Sequence, residues 1–140
     1  MNRYTYEELT VGMTEAFQVT IRPEMLEQFR QITGDDNPLH TDEAFAAGKG
    51  YPGRVAYGML TASFLSTLAG VYLPGERSLI LETDVKFAKA VQIGDTLTVQ
   101  GTVKEKNDLF SFIVLKVEIR NGDGGKVLRG QMKVGVLDGE

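Results

Sequence analysis

From Ser78 to Val136 the chain reads as one strand after another, and this fixes what the rest of it can do. Ser78 to Val91, Thr96 to Glu105, Leu109 to Arg120 and Lys126 to Val136 are rich in Val, Ile, Thr and Phe. Gly94-Asp95, Asn107-Asp108 and Asn121-Gly122-Asp123-Gly124-Gly125 separate them, all strong turn chemistry. One further strand is expected near the start, about Glu15 to Ile21, where Phe17, Val19 and Ile21 alternate with Gln18 and Thr20. The alternation throughout is that of a half-buried antiparallel sheet.

The helices that could cover such a sheet are few. Pro23 suits a first helical turn, Met25, Leu26, Phe29 and Ile32 follow at helical spacing, and Gly34 offers a stop. A loop is expected over Asp35 to His40, because the Asn37-Pro38 step disfavours helix before it. Asp42 can cap a short helix from Glu43 to Ala47, and Tyr51 to Arg54 is turn-rich. The most apolar helix, about Gly58 to Val71, carries Met59, Leu60, Phe64, Leu65, Leu68 and Val71 on several faces, as a helix surrounded by protein does. Gly70 and Pro74-Gly75 are expected to end it. The order predicts an α+β fold, with one antiparallel sheet wrapped around one central helix. The 140 residues contain no linker-like tract and read as a single domain, 1–140.

Composition excludes several functions. The chain has no cysteine, hence no disulfide, thiolate nucleophile or thiolate metal site. Fifteen Lys and Arg against nineteen Asp and Glu give a net charge of −4, unlike the basic footprint of a nucleic-acid binder. The polar N-terminus has no signal-peptide core, and the longest apolar-rich run, Met59 to Leu73, is broken by Thr61, Ser63, Ser66 and Thr67. A soluble, cytoplasmic protein with no membrane partner is expected. Asp35, Asp36 and His40 lack a zinc or calcium ligand set, so no metal is expected. Ser63 and Ser66 lack a nucleophile elbow, and Asn121 to Gly125 lacks the P-loop lysine pattern. Lys49, Arg54, Arg77, Lys86 and Lys89 could meet phosphates, or be ordinary solvated charge.

His40 is the only histidine, and Asp35 stands five residues before it across the Asn37-Pro38 corner. Such a pair could hold one water and move its proton near neutral pH. Spacing alone leaves open a plain turn with a surface histidine, the commoner reading of such a segment.

Gly34-Asp35-Asp36-Asn37-Pro38-Leu39-His40-Thr41-Asp42, with Ala44-Phe45-Ala46 after it, resembles the hydratase motif of the MaoC-like, (R)-specific enoyl-CoA hydratase family. The resemblance continues through Arg54 to Leu60 with Ala62-Ser63, and through Val85 to Leu97. It implies a hot-dog fold and reversible addition of water to a trans-2-enoyl thioester. Asp35 and His40 match the family's catalytic pair, and Gly58 the glycine whose N–H meets the thioester carbonyl. Ser66 falls where relatives carry a serine near the pair, and Asn37 is expected to hold the loop. Two positions depart from the pattern: Tyr57 stands for a common histidine, altering the surroundings of the oxyanion site, and Ala90 for a proline.

No cofactor is implied, since coenzyme A enters only as the substrate's carrier; an acyl-carrier-protein thioester is equally open. At least a homodimer is implied, with the site at the subunit interface. The rival readings are a hot-dog thioesterase and a subunit that binds acyl thioesters without turnover.

Overall fold

The computed structural model describes residues 1–137. Strand β1 (Thr14–Thr20) leads into helix α1 (Pro23–Thr33), a helical turn α2 (Pro38–Thr41) and helix α3 (Glu43–Gly48). Helix α4 (Gly58–Thr67) continues as a π-helical turn (Leu68–Tyr72), and β2 (Ser78–Phe87), β3 (Thr96–Asn107), β4 (Phe112–Arg120) and β5 (Lys126–Val136) complete the chain. The five strands form one sheet in the order β1-β3-β4-β5-β2, every pairing antiparallel. This sheet curves around α4, giving the hot-dog arrangement that the resemblance implies.

The core lies between helix and sheet. On β4 the odd residues Ile113, Leu115, Val117 and Ile119 are fully buried, so a single register of period two serves the whole strand. They meet Leu97, Val99 and Val103 of β3 and Leu128, Met132 and Val134 of β5, all in one cluster with Leu60, Leu65, Leu68 and Ala69 of the central helix. Burying each leucine contributes about 1.5–3 kcal/mol. Helix and sheet touch at Gly101: a Cβ there would lie 2.9 Å from Leu68 Cδ2. Phe112 and Val114 are apolar residues on the outer face, where Lys133 Nζ stands 4.9 Å from the Phe112 ring.

Four boundaries differ from the sequence expectations. The expected loop at 35–40 closes as a helical turn, because Pro38 takes its first position and the Asn37 side chain accepts from Leu39 N–H. Gly70 does not stop the central helix but lies inside its π-helical turn, in contact with Ser78 of β2. Strand β2 ends at Phe87 rather than Val91; Val91 is still buried, and its C=O accepts from Ala56 N–H, tying the departing segment to the chain before α4. Residues 109–111 form a turn rather than strand, with Asn107 Oδ1 accepting from Phe110 N–H and Ser111 at φ 52°.

Strand β2 is an edge, and it is dressed unlike a solvent edge. Leu79, Ile80, Leu81 and Phe87 are each at least 40% exposed. Natural edges are usually charged or covered.

Candidate active site

The site begins where α1 ends. Gly34 adopts the left-handed conformation (φ 75°), and its N–H donates to Arg30 C=O at 2.7 Å. This turns the chain toward Asp35, and Arg30 Nε grips the next carboxylate, Asp36 Oδ1, at 2.5 Å. Asp36 is therefore tied to α1, beyond a purely solvated turn residue. Asp35 itself is exposed, and its Oδ1 accepts from Asn37 N–H at 3.0 Å. Asn37 in turn caps α2 and accepts His40 N–H on its carbonyl at 3.0 Å. It holds the loop by local bonding, as its residue type suggested.

His40 is half-buried on α2, with Nδ1 2.6 Å from the Val55 carbonyl oxygen. A carbonyl only accepts, so Nδ1 carries the proton and Nε2 of the neutral ring keeps its lone pair. Arg54 Nε donates to the His40 carbonyl at 2.8 Å, and Val55 N–H to Leu39 C=O at 3.1 Å. The strip before α4 thus fixes both the ring and the backbone of His40.

Tyr57 joins the two acid–base candidates. It is 2% exposed, and its hydroxyl donates to the Asp35 carbonyl at 2.6 Å. Its ring lies 4.2 Å from the His40 ring and 4.7 Å from that of Phe29, centroid to centroid. Burial and then the neighbouring Asp35 charge push its pKa above the ordinary 10, so it remains a neutral donor at ordinary pH. The departure at position 57 thus fills a structural place between the motif's loop and its helix.

Gly58 begins α4, and its N–H is among those that no residue of the same helix can satisfy. The helix adds partial positive charge there. A Cβ at this position would lie 3.3 Å from the Phe87 ring, tighter than most such contacts. Asp35, His40, Tyr57 and Gly58 line one cavity of about 580 Å³, completed by Phe29, Thr33, Met59 and Phe87. Titratable groups at one side, an unpaired N–H at another and apolar walls suit a small acyl group beside a proton-transfer pair.

Ser66 is not brought to this cavity. It is exposed on α4, two turns beyond Gly58, and makes no hydrogen bond among the described residues. Phe87 and Phe29 were not singled out as wall residues, and only the strand motif around Phe87 carried any signal of it. No three His, Cys, Asp or Glu side chains come together as a metal ligand set among the described residues. No described helix is long and apolar enough to cross a membrane.

Residues 8–122 match the sequence profile described as MaoC like domain. A 3-hydroxybutyryl-CoA dehydratase of Methylorubrum extorquens is 37% identical over 100 residues, covering 71% of this chain and 64% of the relative. An (R)-specific enoyl-CoA hydratase of Aeromonas caviae is 30% identical over 128 residues, 91% of this chain and 96% of the relative. The unliganded R-hydratase PhaJ1 of Pseudomonas aeruginosa superimposes with a TM-score of 0.91 at 30% identity, covering 96% of this chain and 86% of that one.

Proposed function

Because the chain belongs to the MaoC-like domain family, we propose that it catalyses reversible hydration of a trans-2-enoyl thioester to the (R)-3-hydroxyacyl thioester. One observation carries the reading: Asp35, His40 and the first N–H of α4 face a single cavity. The thioester oxygen accepts from Gly58 N–H. Asp35 and His40 hold one water, with Nε2 free to take a proton as the water oxygen bonds to C3. The electron pair of the double bond moves toward the carbonyl, so negative charge gathers where Gly58 N–H and the helix dipole already point. The pair then returns a proton to C2. Water is added across the bond, and no cofactor enters the balance.

The facial choice rests on relatives named as (R)-specific hydratases. The carrier of the thioester is coenzyme A or an acyl carrier protein. The exposed apolar edge of β2 supports a second copy of the chain, whose residues would complete the cavity near Phe87 and Met59.

Crotonyl-CoA incubated with the protein should lose its enoyl absorbance and yield 3-hydroxybutyryl-CoA. A dehydrogenase selective for the (S)-isomer should not oxidise the product, and a strong signal from it would overturn the stereochemical assignment. Release of free thiol without hydration would replace the reading with thioester hydrolysis.

A further inference from the structure

The cavity that holds Asp35 and His40 is not the only space at Gly58. A second cleft of about 250 Å³ shares Gly58 and Phe87 with it and extends along Ala88, Lys89 and Ala90. The Phe87 ring, which packs where a Gly58 Cβ would lie, stands between the two.

Thr61 lines only the second cleft, and there it has no partner. The residue is 2% exposed, and its hydroxyl oxygen is buried without a hydrogen bond. A threonine inside a helix ordinarily bonds back to a carbonyl one turn earlier. Here the carbonyl four residues back, Tyr57 C=O, takes the Thr61 N–H at 3.1 Å, and the hydroxyl is left over. A buried, unmade hydrogen bond is unfavourable enough that native structures seldom keep one without use. At the outer end, Lys89 is exposed and makes no ion pair among the described residues. It reaches the β4–β5 turn: a Cβ on Gly125 would lie 2.8 Å from its Nζ.

A thioester whose oxygen sits on Gly58 N–H sends two arms away from that point. C2 and C3 must lie beside Asp35 and His40, in the larger cavity, which leaves the second cleft to the sulfur arm. Chemistry favours the same division. An acyl tail has nothing to offer a lone hydroxyl or a free ammonium, whereas biological thioester carriers place an amide two carbons beyond sulfur and a phosphate further on.

We propose that the cleft beyond Phe87 receives the amide-bearing carrier arm, with the Thr61 hydroxyl bonding its first amide and Lys89 meeting its phosphate. This rests on the hydratase reading for the direction of the acyl group. The chemistry recognised is that of a phosphopantetheine arm, which coenzyme A and acyl carrier protein share.

The test is binding of saturated thioesters, which cannot turn over. Three probes are titrated by calorimetry: butyryl-CoA, butyryl-N-acetylcysteamine, which keeps only the first amide, and S-propyl thiobutyrate, which has none. Thr61→Val should weaken the first two by about 3- to 10-fold, the worth of one hydrogen bond, and leave the third unchanged. The same variant should melt a few degrees higher without ligand, since an unsatisfied hydroxyl has gone. Lys89→Ala should weaken butyryl-CoA alone. Equal weakening of all three probes by Thr61→Val, or none of any, overturns the proposal. So does a lower melting point with unchanged binding, the mark of a purely structural threonine. The butyryl arm carried on an acyl carrier protein should lose affinity with Thr61→Val as well, and whichever carrier binds wild type more tightly identifies the source. If wild-type protein binds these probes as expected yet hydrates no enoyl thioester, the hydratase reading fails and the arm's cleft stands.

Discussion

Asp35 and His40 are neighbours because a third side chain makes them so. The pair, with Gly58, was legible as a motif, since residue type and spacing carry its meaning. The linkage through Tyr57 was not, because its hydroxyl finds a backbone carbonyl 22 positions earlier, and no local pattern encodes that. Ser66 was placed at the site by resemblance, and the helix turns it outward. Asp35→Asn or His40→Gln should each lower kcat by ~10²-fold or more, and the double variant should be little worse than the poorer single. Both sit at or near the surface, so melting temperature and yield should hold; near wild-type turnover in either single variant would refute the assignment. Tyr57→Phe keeps the ring stacked between Phe29 and His40 but deletes the bond to Asp35. It should remove about 1 kcal/mol of stability and lower kcat several-fold with little change in KM. Unchanged kcat would mean that the Asp35 loop needs no tether.

At the level of elements, strand order and helix order followed from alternation and turn chemistry, whereas the ends did not. Strand β2 stops at Phe87 because the next carbonyls and N–H groups are taken elsewhere: Ala88 N–H goes to Val127 C=O, and Val91 C=O to Ala56. Those partners are tertiary, and apolar residues at 88–91 looked like more strand. The π-helical turn at Leu68–Tyr72 is likewise invisible in composition. One glycine decides how closely β2 can approach. A Cβ on Gly130 of β5 would lie 2.0 Å from Asp84 C=O on β2, so Gly130→Ala must push the strands apart. The variant should lose more than the 1–3 kcal/mol typical of overpacking, because the obstacle is backbone. Its activity should fall with its melting temperature, since β2 carries Phe87 to the cavity; denaturation and kinetics on one preparation check both.

For the molecule as a whole, the exposed apolar edge implies assembly. Sedimentation should give at least twice the 15.4 kDa chain mass, and Leu79→Lys should shift it toward one chain with loss of activity. A wild-type monomer with full turnover would sink this. Charge on the outer face sets an acid limit. The Glu118 carboxylate, 16% exposed, meets Lys116 and Lys126 at 3.3 Å and Arg120 at 3.1 Å, joining β4 to β5. Burial alone would raise its pKa, but the Lys116 and Lys126 hydrogen bonds outweigh it and hold the group below its ordinary 4.5. The stabilisation is therefore complete above that value and is lost as pH falls through the lowered one. Glu118→Gln should flatten this acid limb in melting curves between pH 3 and 6 (roughly the range over which carboxylates titrate). A last consequence comes from where the two halves of the site are anchored. Gly58 heads a helix embedded in the core, while Asp35 and His40 ride on a surface turn secured by a handful of bonds. Openings of such a turn need far less energy than melting the core. Heated slowly, the protein should go silent while still folded, with amide exchange quickening over 35–41 first, and it should recover fully on cooling.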